Sequence, residues 1–98
     1  MRRFARFVIS TCLAGMSTLA GPATAAGPVV RAEPVAPGVW MVQGEAAMGS
    51  SANRNFVSNA GFVATGDGVV VIDALGSPEL GEELVAEIRR VTSEPIRW

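Results

Sequence analysis

The stretch GVVVIDALGSPELGEELVAEIRRVTSEPIRW, Gly68 to Trp98, decides the fold class. Val69-Val70-Val71-Ile72 is apolar at consecutive positions, the signature of a sheet strand covered on both faces. Ser77-Pro78 then supplies a helix start: a hydroxyl for the N-cap, and a proline whose missing N–H does no harm at the first helical position. Leu80, Leu84, Val85, Ile88 and Val91 follow at helical spacing and mark the buried face of a helix over Pro78 to Val91. Glu79, Glu82 and Glu83 lie near its positive amino end, and Arg89 and Arg90 near its negative carboxyl end. Glu94-Pro95 closes it, because the residue before proline is driven out of the α region. Ile96-Arg97-Trp98 then begins a new strand, so the segment spells strand, crossover helix, strand.

Upstream of it, Gly66-Asp67-Gly68 makes a tight turn, and Phe56 to Thr65 reads as a strand weakened or bulged at Ala60-Gly61. Glu45 to Asn55 loses apolar periodicity and gathers Gly49, Ser50, Ser51, Asn53 and Asn55, which predicts a mobile loop. Val39-Trp40-Met41-Val42 is a short strand at the edge or start of the sheet, entered through the Pro37-Gly38 turn. Residues 26–35 carry Pro28 and Pro34 among small residues and predict an extended lead-in, with the folded domain occupying residues 36–98.

Residues 1–25 have the form of an export signal: Arg2, Arg3 and Arg6 precede an apolar stretch from Phe7 to Ala20, and Ala23-Thr24-Ala25 is an A-x-A cleavage pattern. Cleavage after Ala25 is expected, with Ala26 as the alternative, giving a secreted product that would be periplasmic in a bacterium. The apolar stretch is short and interrupted for a membrane span, which needs about 20 residues. Cys12, the one cysteine, lies inside the segment to be removed, so no internal disulfide is expected. Removing the signal takes three arginines and no acid. Five arginines then face nine carboxylates, and the remaining 73 of 98 residues carry a net charge of −4. That balance offers no basic stripe for nucleic acid.

Candidate chemistry is sparse. With no histidine and no lysine, the serines lack a base, so a catalytic serine is not expected. The Gly66-Asp67-Gly68 turn leads into a strand rather than a helix and makes no phosphate cradle. Zinc would find carboxylates alone in the mature chain. Asp73 is the residue to single out, because open α/β sheets place their sites at the carboxyl ends of strands. From position alone, its first reading is an acid accepting nearby backbone N–H groups of the Ala74-Leu75-Gly76 loop. Glu82, Glu83 and Glu87 read as the solvated face of the helix.

Pro37-Gly38-Val39-Trp40, Asn59-Ala60-Gly61-Phe62-Val63, Gly68 to Ala74 and the helix leading to Pro95-Ile96-Arg97-Trp98 come in an order that resembles the amino-terminal part of the metallo-β-lactamase superfamily. The nearest likeness is to exported zinc hydrolases of quinoprotein-relay and sulfur-oxidation type. The resemblance implies an α/β (α+β) fold, the first half of an αββα sandwich, with a mixed sheet and one helix packed on it. It also implies that a longer parent uses zinc-activated hydroxide on a small-molecule substrate. The family's His-x-His-x-Asp-His ligands would follow the strand starting at Ile96, so these 98 residues would be an inactive fragment. In that frame Asp73 is a positioning acid rather than a metal ligand. Met48, Ser50, Ser51 and Asn53 fall where family members carry a flap beside the substrate, although a plain hairpin connection explains the same loop. The competing expectation is a small, complete, exported binding or structural module, held together as a dimer.

Overall fold

A computed structural model describes Gly21 and residues 27–98. The segment read as an export signal, apart from Gly21, lies outside the described residues, as do the expected cleavage site and Cys12. The domain is a small α+β unit: a four-stranded antiparallel sheet and one helix. Its elements are β1 (Ala32–Ala36), β2 (Val39–Val42), β3 (Ala60–Ala64), β4 (Val69–Ile72) and α1 (Pro78–Val91), and the strands lie side by side in chain order.

The helix has the predicted bounds for the predicted reasons. Ser77, in extended conformation, caps it by accepting the Leu80 N–H on its hydroxyl at 3.2 Å. Leu80, Leu84 and Ile88 are buried at successive i, i+4 positions, and they pack on the sheet face that holds Ala32, Val42, Ala60, Phe62 and Val69. Phe56 and Val30 complete that core from outside the strands.

Four strand readings need correction. The lead-in contains β1, which pairs with β2 through Ala32↔Val42, Glu33↔Met41 and Pro34↔Trp40 before a bulge between Pro34 and Ala36. Proline is tolerated there because β1 is an edge strand, where an N–H can be absent without loss of a ladder bond. Consequently β2 lies inside the sheet, between β1 and β3, not at its edge. The strand expected from Phe56 to Thr65 shortens to Ala60–Ala64, because the Phe56 N–H turns back to the Asn53 carbonyl at 2.9 Å. Finally, among the described residues β4 is covered on one face alone: Val69 is fully buried, whereas Ile72 is 60% exposed.

The row Val39–Val63–Val70 and the row Met41–Gly61–Ile72 alternate with the helix-facing row Trp40–Phe62–Val71. They therefore point away from α1, and among the described residues no layer covers this second, apolar face. Beyond α1, Ile96 forms a parallel bridge to Val69, supported by the Val69 N–H to the Pro95 carbonyl (2.8 Å) and the Arg97 N–H to the Val69 carbonyl (3.0 Å). The named strands are all antiparallel, and this bridge alone gives the sheet a mixed character.

Candidate functional site

Asp73 follows the last residue of β4, where the chain must turn away from the sheet to reach Ser77. The turn is made by two residues in the left-handed region, Asp73 at φ 68° and Leu75 at φ 65°. Aspartate tolerates that conformation by bonding its own neighbourhood. Its Oδ1 accepts the Leu75 N–H at 2.7 Å. The carboxylate is exposed, and the sequence reading of a strand-end acceptor for the Ala74-Leu75-Gly76 loop describes this contact.

The Glu45–Asn55 loop lies alongside. A Cβ built on Gly76 would stand 3.6 Å from the Asn55 carbonyl oxygen, so the two loops touch at this end of the sheet. The long loop is tied down by its own polar residues. Asn53, only 5% exposed, accepts the Ser50 N–H (2.8 Å) and the Asn55 N–H (3.1 Å) on its side-chain oxygen and donates its amide to the Met48 carbonyl (2.9 Å). The Ser50 hydroxyl accepts the Asn53 N–H at 3.2 Å. Of the four candidate flap residues, Asn53 and Ser50 thus hold the loop together, while Met48, 90% exposed, and Ser51 face solvent.

Two ionic ties that composition does not announce fix this loop and β1 to the helix. Arg54, itself left-handed at φ 60°, reaches Glu83 with both terminal nitrogens and donates from Nη1 to the Pro28 carbonyl at 3.2 Å. Arg54 is pushed above and Glu83 below its ordinary pKa, first by this hydrogen-bonded pairing. Glu87 is bound by Arg90 (2.9 Å) and by the Ala32 N–H (2.8 Å). Its carboxyl is held below the usual range, chiefly by the Arg90 hydrogen bond and, after an opposing effect of burial, by the Ala32 N–H. The expectation that Glu82, Glu83 and Glu87 form one solvated face holds for Glu82 and fails for the other two. The i, i+4 spacing of Glu83 and Glu87 was the available signal, whereas nothing in the sequence pointed to Arg54 as the partner of Glu83.

Chemically the site offers a single exposed carboxylate beside a strained loop. Among the described residues, no group of three or more histidines, cysteines, aspartates or glutamates could hold a metal ion. A groove of about 340 Å³ between Pro28, Arg31, Gln43 and Phe56, and another of about 400 Å³ between Arg89, Ser93 and Ile96, are not lined by Asp73. Among the described residues no helix is long and apolar enough to cross a membrane. The chain matches no protein-family model, no curated protein and no solved structure.

Proposed function

We propose that this domain is the amino-terminal part of an exported zinc-dependent hydrolase of the metallo-β-lactamase type, acting on a small-molecule substrate. The observation that carries the reading is the apolar face made by Val39, Val63, Val70, Met41 and Ile72, which no other element covers among the described residues. A sheet with one bare apolar face calls for a second layer, and the αββα architecture supplies a second sheet there. The parallel bridge of Ile96 to Val69 adds support, since it starts a strand that runs toward the same end as Asp73.

Zinc does not fit the residues described here, so the metal-binding chemistry would belong to a part of the parent beyond this domain. Within the domain, Asp73 would fix the strand-end loop against which such a part is seated. A second reading draws on the same bare face: a small exported binding module whose second copy supplies the missing layer.

The test is to read the coding sequence downstream of the Trp98 codon and to measure zinc content and hydrolysis in whatever longer product it encodes. An in-frame His-x-His-x-Asp-His with stoichiometric zinc is the expected result. A stop codon at that point, with a dimer that buries the apolar face, would replace the hydrolase by the binding module.

A further inference from the structure

An open sheet edge presents unpaired backbone groups that can template another strand. In an antiparallel strand, alternate residues turn both backbone groups to the same side, and Ala32 turns its pair away from β2. Its N–H donates to Glu87 Oε2 at 2.8 Å, and its carbonyl accepts from Arg90 Nη2 at 3.5 Å. Both partners are helix side chains. Pro34, two residues on, shares that outer side and has no N–H to offer. Upstream of β1, Pro28 again has no N–H.

The match between the helix and this edge is geometric. Glu87 and Arg90 are three residues apart, about 4.5 Å along a helix, so the two side chains reach the two backbone groups of one edge residue, Ala32. Downstream, the bulge between Pro34 and Ala36 ends the regular edge. Within β1, the outward N–H of Ala32 is occupied and that of Pro34 is absent.

We propose that Pro34 and the Glu87 and Arg90 side chains form an edge guard that closes β1 to strand addition by a second copy of this chain. Self-pairing is the addition most in need of blocking, because two identical edges can meet antiparallel about a twofold axis with no further fit required. The guard acts by geometry and leaves the β1–β2 ladder untouched, and it is independent of the hydrolase reading.

The test uses the full chain with Pro34→Val, Glu87→Ala and Arg90→Ala combined, which restores one outward N–H and frees another. Amide exchange is followed at residues 32 and 34 from dilute to concentrated protein, with Glu33 as the internal reference for β1–β2 pairing. The expected result is exchange slowing by at least about tenfold with concentration at both outward amides, while wild-type Ala32 shows no concentration dependence. Concentration-independent exchange at residues 32 and 34 with Glu33 still protected overturns the proposal. So does loss of Glu33 protection with α1 intact, since the side chains would then be holding the strand rather than guarding it. Should the triple variant unfold, Glu87→Ala with Arg90→Ala carries the same test at Ala32 alone. There, slowing with concentration supports the guard and its absence overturns it.

Discussion

Trp40 and Phe62 face each other across β2 and β3, their ring centroids 5.2 Å apart and their planes within 15° of parallel. Phe62 has no exposed surface, and it joins the stack to the helix through the shared core. Phe62→Ala is therefore expected to cost about 3–5 kcal/mol, a large share of the 5–15 kcal/mol typical of a whole domain. Phe62→Leu, which fills more of the same space, should cost less. Denaturant titration followed by Trp40 fluorescence checks both. A cost under about 1 kcal/mol for the alanine variant would mean that this pair does not anchor the core.

Helix α1 depends on its first turn. With the Ser77 hydroxyl accepting the Leu80 N–H and Pro78 following, Ser77→Ala should lower stability by about 1 kcal/mol. Ser77→Asp should retain it, because the carboxylate both caps and faces the positive helix end. Circular dichroism across a denaturant series separates the two variants. Equal stability in both would show that the proline, and not the cap, sets the boundary.

How far these elements were legible in the sequence follows from the range of their contacts. Helix α1 is fixed by signals within its own fourteen residues and the few that flank them, Ser77 and Glu94-Pro95, and both of its bounds were read correctly. Strand β1 was hidden by its proline, because local rules cannot tell an edge strand, where Pro34 is harmless, from a coil. Phe56 has the residue type of a strand and the burial of a core residue, yet the Asn53 turn places it outside β3. Four consecutive apolar residues in β4 implied two covered faces, but what covers a second face is a long-range property, and Ile72 stands open. At the candidate site, the Asp73 contact with Leu75 spans two residues and was foreseen. The Arg54–Glu83 pair spans 29 residues and the Glu87–Ala32 bond 55, separations at which sequence spacing carries no signal.

Asp73 allows a comparison of strain with hydrogen bonding. A non-glycine residue in the left-handed region costs about 1 kcal/mol or more, and the bond to the Leu75 N–H returns about the same. Asp73→Gly loses both effects and should leave stability within about 0.5 kcal/mol. Asp73→Ala keeps the strain and loses the bond, and should cost about 1–2 kcal/mol. Asp73→Asn should stay close to the native value. Thermal or urea unfolding of the three variants provides the ranking. A glycine variant as unstable as the alanine one would show that the carboxylate has a partner other than Leu75.

Acid should loosen the ties between α1 and the rest of the domain. Glu83 is held below its ordinary pKa first by its hydrogen bond to Arg54, and Glu87 first by its hydrogen bond to Arg90, in both cases against an opposing contribution from burial. A carboxyl whose folded-state pKa is depressed releases its proton more readily in the folded chain than in the unfolded one. Its stabilisation is complete above the unfolded value, about 4.3 for glutamate. It declines as pH falls below that value and is gone once pH has passed through the folded value. Stability should thus be flat in this respect from neutral pH down to about 5, then fall with further acidification. Glu87→Gln should remove part of that acid slope while lowering stability at neutral pH, because the amide gives up the charge-assisted bond to Arg90. Urea midpoints measured from pH 7 to pH 3 in the wild type and in Glu87→Gln decide the matter. Parallel curves for the two proteins would mean that Glu87 does not supply the acid sensitivity, and the pair formed by Arg54 and Glu83 would be the next to vary.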